Sequence, residues 1–205
     1  MEEYRNLEDV FKLYEKHGAK GYIGEPISQY EHAMQAALLS EEFFKSVASN
    51  VQSEVILAAF FHDVGHLLRY EPWFQGQLMG NLGVMDHEKV GAIFLSRLGY
   101  PDKICKLVAA HIVTKRYLIT KTPRYYNNLS EASKKTFEYQ GGRLDKIQMA
   151  AFEHDDLFNF HLKIREWDDD AKKTDKELLE KIKNINPREY FQKYIDQIRD
   201  NISSK

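Results

Sequence analysis

The sequence predicts an all-helical bundle built around a buried metal site. Apolar residues recur at helical spacing along most of the 205 residues, with no strand-rich region, internal repeat or low-complexity tract. One strongly apolar segment also carries His62, Asp63 and His66, ionisable groups that are costly to bury unless they are paired or bind a metal. Further histidines and an aspartate fall on the segments to either side of it.

Taken in order, Val10, Phe11 and Tyr14 give a first apolar face, and Gly18 closes that helix. Residues 21–29 hold two glycines and a proline and read as a loop. A helix carrying His32, Met34, Ala37 and Leu38 follows. Ser53 is placed to cap the next helix, whose run VILAAFFHDVGHLL is apolar nearly all round and therefore central. Residues 69–85 read as a long loop. Asp86 is placed to cap a helix ending at Gly99, and Pro101 starts another that runs through His111. Residues 120–129 read as a polar connection, after which Ser130 caps a short helix ending at Gly141 and Gly142. Asn186 and Pro187 open a last helix with Tyr190, Phe191, Tyr194, Ile195 and Ile198 on one side. No linker divides the chain, so residues 1–205 are expected to form a single domain with a C-terminal helical extension.

Composition narrows the function. Hydrophobic residues make up 43% and charged residues 29%, an ordinary globular balance. A formal charge of -2 gives no general attraction to nucleic acid or an anionic membrane, so any anion must be held by a local cluster. The one cysteine, Cys105, offers neither an internal disulfide nor a thiolate metal site, and fits a reducing cytoplasm. It reads as a small buried residue with little nucleophilic character. The amphipathic, acidic N-terminal segment does not resemble a signal peptide, and no segment approaches the roughly 20 apolar residues of a membrane span.

A lone buried histidine is usually a hydrogen-bonded core residue. Here His62 and Asp63 are accompanied by His32 on the preceding helix, His87 and His111 on the two following, and Asp168 in KIREWDDD. The neighbouring Asp169 and Asp170 read as a solvated charge run. Imidazole and carboxylate donors suit iron, manganese, zinc and similar ions, and a carboxylate such as Asp63 has two oxygens with which to bridge a pair of them.

This pattern of a lone His, a His-Asp pair and a distant Asp resembles the HD-domain superfamily, a helical bundle around one or two metals. His87 and His111 resemble the additions of its two-metal branch. Most HD proteins are phosphohydrolases; a smaller branch uses a mixed-valence di-iron centre and dioxygen. Six stretches between about residues 20 and 175 are similar to one group of these oxygenases, in order and with consistent spacing. They are Tyr22-Ile23-Gly24-Glu25 with Gln29 and His32, HDVGH at 62–66, HEKVGA at 87–92, KRYL at 115–118, LSEASKKTFEYQGG at 129–142 and KIREWD at 163–168. That group acts on 2-amino-1-hydroxyethylphosphonate or its 2-(trimethylammonio) counterpart in organophosphonate catabolism.

The resemblance implies oxidative cleavage of a carbon–phosphorus bond, giving glycine or glycine betaine plus phosphate, with two iron ions in the Fe(II)/Fe(III) state and dioxygen as co-substrate. It assigns one iron to His32, His62, Asp63 and Asp168, and the other to Asp63, His87 and His111. It makes Tyr22 a ligand that the substrate displaces, and Glu25 its partner on the same loop. It places the phosphonate against His66, Lys115, Ser133, Thr136, Gln140 and Arg165, residue types that match three negatively charged acceptor oxygens. Arg116 reads as exposed or structural. Trp73, Phe74 and Trp167 are candidates for an aromatic cage around a quaternary ammonium. The expected partner is a small phosphonate, without nucleic acid or membrane; the sequence leaves the oligomeric state and the amine substituent open. Two other readings remain: a metal-dependent phosphohydrolase acting on a phosphomonoester or nucleotide, and a metal-stabilised regulatory module.

Overall fold

The computed structural model describes residues 3–47, 49 and 51–203. Among them regular structure is helical, and extended backbone pairs only at two isolated bridges, Gly21 with Ser28 and Leu78 with Val84.

A 3-10 turn at Leu7–Val10 leads into α1 (Phe11–His17), which ends at Gly18 as its apolar face predicts. The loop that follows ends at Ser28. The Ser28 hydroxyl accepts from the Glu31 N–H, and Glu31 returns a carboxylate to the Ser28 N–H. This reciprocal cap starts α2 (Gln29–Ser46) and fixes the direction in which His32 projects.

The central apolar run forms α3 (Gln52–Phe61), buried on every side from Ser53 onward. It does not continue through the histidines, as the sequence suggested. The chain leaves helical geometry at Asp63 (φ -103°, ψ 10°) and restarts as the single turn α4 (Val64–Leu67). Adjacent side chains diverge by about 100° on an unbroken helix; the break lets His62 and Asp63 converge. Nor does Ser53 cap α3. Val51 occupies that position, and the Ser53 hydroxyl instead bonds Gln197 on the last helix.

Beyond the loop, α5 (His87–Arg97) begins after Asp86, which adopts a left-handed conformation (φ 52°) that aspartate tolerates better than most residues. Asp86 makes no side-chain cap; its carboxylate pairs with Lys89. Helix α6 (Asp102–Lys121) runs ten residues further than the sequence indicated, carrying Lys115 on the same rod as His111. The polar stretch after it is not a simple connection but the short helix α7 (Pro123–Asn128), opened by a proline. Ser130 caps α8 (Glu131–Tyr139) through the Ser133 N–H.

Three helices escaped the sequence reading: α9 (Lys146–Glu153), α10 (Phe158–Asp170) and α11 (Lys176–Lys183). The last, α12 (Pro187–Ser203), buries Phe191, Tyr194, Ile195 and Ile198 against the centre. Its Phe191 stacks on Phe11 and meets Phe60 at 4.4 Å between ring centres.

Helix α3 is surrounded by α2, α6, α10 and α12, and α5 lies across α4 and α6. The crossing of α4 and α5 is unusually close. A Cβ on Gly65 would collide with the His87 carbonyl and fall 3.0 Å from the Gly91 nitrogen; one on Gly91 would lie 3.0 Å from Val64 and 3.1 Å from the Gly65 nitrogen. Two glycines thus let the backbones touch, and the ligand-bearing ends of α4 and α5 meet. No helix among the described residues is long and apolar enough to cross a membrane.

Candidate metal centre and anion pocket

Five elements deliver six donors to one point. His32 comes from α2, His62 and Asp63 from the break after α3, His87 from the first turn of α5, His111 from the middle of α6, and Asp168 from the end of α10. All six side chains are buried. They form two lobes, His32 with His62 and Asp168, and His87 with His111 and Asp63.

Asp63 faces both lobes. Its Oδ2 lies 3.7 Å from His32 Nε2 and 3.5 Å from His62 Nε2, and its Oδ1 lies 3.3 Å from His87 Nε2 and 3.4 Å from His111 Nε2. Asp168 Oδ1 is 3.4 Å from His32 Nε2 and 3.7 Å from His62 Nε2. Ligands at about 2.1 Å from one ion, at tetrahedral to octahedral angles, stand about 3.0–3.4 Å apart. The observed spacings suit one ion in each lobe.

The histidines supply an independent check. His32, His62 and His111 direct their Nδ1 atoms to the carbonyls of Ala171, Ala59 and Val108 at 2.8–2.9 Å. Nδ1 therefore carries the proton, and Nε2 is left with its lone pair. Yet His32 Nε2 and His62 Nε2 stand 3.0 Å apart, and two lone pairs converging at that distance repel unless a cation lies between them. In the other lobe His87 Nε2 and His111 Nε2 stand 2.9 Å apart, and His87, its Nδ1 without a partner among the described residues, has no such fixed tautomer. The charges agree. Burial works against ionisation of Asp63, but the imidazoles of His62, His111 and His87 hold its carboxyl well below the usual range. Burial likewise opposes ionisation of Asp168, and Arg165, His32 and His62 overcome it. Burial disfavours a charged His62, yet Asp63 and Asp168 raise its pKa to about 10, so that in the absence of an ion a second proton at Nε2 takes the place a cation would fill. The cluster's field is one that seats cations, and the donor set fits the two-ion centre expected from the sequence.

Beside the cluster lies a cavity of about 50 Å³ whose wall includes Tyr22, His66, Lys115, Ser133, Thr136, Gln140 and Arg165. The structure thus brings all six expected phosphonate contacts to one place. Lys115 is 2% exposed, and among the described residues no carboxylate pairs with it. Its ammonium donates to Thr136 Oγ1 at 3.1 Å and to the Ser133 carbonyl at 3.3 Å. Burial and the nearby Arg165 lower its pKa to about 7. A bound anion would supply the missing counter-charge. His66 is held neutral by burial and by His87, on which its ring stacks at 3.8 Å. The Val84 N–H donates to His66 Nδ1, so the proton sits on Nε2. Gln140 adds a buried amide oxygen without a partner among the described residues.

Tyr22 stacks on the His32 imidazole at 3.8 Å between ring centres, 18° from parallel. Burial, Asp63 and Asp168 together hold its hydroxyl well above its ordinary pKa. Glu25, by contrast, does not reach this cavity; it lines a separate outer groove with Tyr14, Tyr30 and Glu31. The aromatic candidates also lie elsewhere. Trp73 packs on Tyr4 and Phe94, Trp167 on Phe43 in the core, and Phe74 stands against that same core. Arg116 is structural, tying α6 to the Gly141 and Gly142 carbonyls. Cys105 is half-buried, and burial pushes its thiol up to about 11.

Sequence reasoning missed a clamp on Arg165. The guanidinium pairs with Asp168 at 2.7 Å, with Asp169, and with the Tyr125 hydroxyl at 2.8 Å; Tyr125 in turn donates to Asp169. Asp169 is therefore not part of a solvated charge run. Its position four residues after Arg165 on a helix was the available signal; for Tyr125, on a helix read as a connection, there was none.

Comparison with known proteins places this arrangement among relatives. Residues 29–136 match the HD domain family. An uncharacterized protein of Acanthamoeba polyphaga mimivirus is 39% identical over 202 residues, spanning 97% of this chain and 85% of the relative. The [1-hydroxy-2-(trimethylamino)ethyl]phosphonate dioxygenase (glycine-betaine-forming) of Leisingera caerulea is 31% identical over 171 residues, spanning 83% of this chain and 82% of its own. The hydroxymethylphosphonate dioxygenase of Gimesia maris is 34% identical over 163 residues, spanning 80% and 76%.

Proposed function

This chain belongs to the HD-domain family, and on that footing we propose that it is an iron-dependent oxygenase cleaving the carbon–phosphorus bond of a small 1-hydroxyphosphonate. The 2-amino- and 2-(trimethylammonio)-1-hydroxyethylphosphonates implied by the sequence resemblance fall in that class, with glycine or glycine betaine and phosphate as products. The observation that carries the reading is a doubly facing Asp63 between two histidine lobes, set beside a buried Lys115 that lacks a carboxylate partner. Two relatives named as phosphonate dioxygenases support it.

His32, His62, Asp63 and Asp168 would hold one ion, and Asp63, His87 and His111 the other. An iron pair bound there, in the Fe(II)/Fe(III) state, would supply the activation of dioxygen, which no side chain can provide. The protein's own part is binding and orientation. Lys115, held by the Thr136 hydroxyl, meets the phosphonate charge, His66 Nε2–H donates to its oxygens, and Arg165 is fixed by its clamp at the same wall. Holding the phosphonate at one end sets carbon 1 and its hydroxyl against the cluster, which lowers the entropic part of the barrier. Tyr22 covers the His32 side of the cluster and must give way for the substrate hydroxyl to approach. In the net reaction, carbon 1 loses its hydrogen and its bond to phosphorus, and both atoms of dioxygen enter the products, giving a carboxylic acid and phosphate.

The test is a comparison of iron-loaded and zinc-loaded protein. Zinc has no accessible redox chemistry. Iron-loaded protein should release phosphate from a 1-hydroxyphosphonate in air, and zinc-loaded protein should not. Phosphate release from phosphomonoesters or nucleotides by the zinc form would replace this reading with a phosphohydrolase.

A further inference from the structure

His87 differs from the other three histidines of the cluster. Their Nδ1 atoms are each held by a backbone carbonyl, whereas His87 Nδ1 is buried without a hydrogen-bond partner among the described residues. One acceptor stands near it. Glu88 Oε2 lies 3.9 Å away, about 1 Å beyond a hydrogen bond. That oxygen is itself buried and accepts no hydrogen bond among the described residues. Nor does any lysine or arginine among them pair with the Glu88 carboxylate, whose one basic neighbour is His87. A small rotation of the Glu88 side chain joins the two unpartnered atoms.

An acid in the first turn of a helix is ordinarily a solvated group that complements the helix dipole. Glu88 is only 4% exposed, so that reading does not account for it. A carboxylate buried without partners is costly. The charges of the two lobes point the same way. His32 and His62 have Asp168 to themselves besides their share of Asp63. His87 and His111 have only their share of Asp63. A cation in that lobe is countered by one shared carboxylate, and Glu88 is the other carboxylate within 4 Å of its histidines among the described residues.

We propose that Glu88 is a positioning residue of the metal centre: its carboxylate accepts the Nδ1–H of His87, fixes that ring with Nε2 toward the ion, and adds a negative charge behind the His87–His111 lobe. This rests on the two-ion reading of the site and not on the reaction carried out there. A histidine that binds a cation through Nε2 keeps its ring proton on Nδ1, the atom beside Glu88. A carboxylate behind the ring makes His87 a stronger donor than the backbone carbonyls make the other three.

The experiment withdraws zinc from the zinc-loaded full-length protein with a chelator of known affinity and reads the two ions separately. Glu88→Gln keeps the size and an acceptor oxygen but removes the charge; Glu88→Leu removes both. Glu88→Leu should weaken one ion toward a hundredfold and Glu88→Gln toward tenfold, the span of about 10–100-fold for a lost group behind a metal-bound histidine. The other ion should be held as in wild type. The His87→Ala protein identifies the lobe: the ion it retains should be indifferent to Glu88→Leu. A packing role alone would instead weaken both ions equally, or weaken the retained ion of His87→Ala, and either result overturns the inference. So do two ions of wild-type affinity in a Glu88→Leu protein that circular dichroism shows to be folded. If Glu88→Leu does not fold, the nearly isosteric Glu88→Gln decides, and unchanged affinity at both ions contradicts the proposal. Wild-type protein that holds a single zinc ion removes the two-ion centre and the inference with it. Phosphate release is not read, so the oxygenase reading stands or falls separately.

Discussion

Gly65 and His87 touch through their backbones: the α-carbon of one lies so near the carbonyl of the other that no Cβ fits between them. This contact sets the distance between the Asp63 end of α4 and the first turn of α5, and hence between the bridging carboxylate and the second lobe. We expect Gly65→Ala to cost about 1–3 kcal/mol of stability, the usual range for an added group in a packed site, and to lose metal from the His87–His111 lobe first. Thermal unfolding and metal analysis of the purified variant check this. Wild-type stability with two ions per chain would show that the crossing has slack.

Asp63 has one oxygen toward each lobe, whereas His87 serves only one. Asp63→Ala should therefore lose most of both ions, and His87→Ala mainly one. Asp63→Asn keeps the shape but removes the charge, and should fall between wild type and Asp63→Ala. Metal content by elemental analysis, with circular dichroism to confirm folding, distinguishes these. Two retained ions in Asp63→Ala would refute the bridge.

Burial and Arg165 place the Lys115 pKa at about 7. Its cation is present below that pH and is lost as pH rises through it, so the pull on an anion is strongest on the acid side. A bound phosphonate raises the pKa again, and binding at pH 8 should take up a proton at Lys115. Calorimetry in buffers of different ionisation enthalpy reads that proton. Lys115→Met should lower the uptake by close to one proton and weaken binding about tenfold or more, a charged hydrogen bond contributing about 1.5–3 kcal/mol, with metal content retained. Equal proton uptake in both proteins would remove Lys115 from the anion site.

Tyr125 and Asp169 hold Arg165 from the side away from the metal cluster. Asp169→Asn should weaken phosphonate binding by about 1 kcal/mol, roughly fivefold, while leaving both ions in place. If affinity is unchanged, the clamp does not orient Arg165 for substrate.

Much of this site is legible in the sequence because burying charge is costly. Six donors and a lysine on apolar faces are tolerated only where they meet a metal, a counter-ion or one another, and the family resemblance supplied their grouping. What escaped depends on local geometry. The break at Asp63 is invisible in a run apolar on every side, since such a run has no face whose phase could change. Helices α9 to α11 were missed for a different reason. In α9 and α11, which are largely exposed, only Phe152 and Ile182 are buried, too few to set a period. The shape of the cavity wall was equally out of reach. Ile23, Met79 and Leu82 sit on loops, where hydrophobic residues carry no periodic signal, and only the fold brings them to one cavity with Ile112 and Ala132.

The central claim is that phosphate release here is oxidative, and the stoichiometry of oxygen consumption tests it most directly. Iron-loaded protein would be given a 1-hydroxyphosphonate in a sealed cell, with dissolved oxygen and phosphate followed together. The account predicts one dioxygen consumed for each phosphate released, with both stopping when oxygen is exhausted and resuming when air is readmitted. Phosphate release that continues at the same rate under strict anaerobiosis would contradict it.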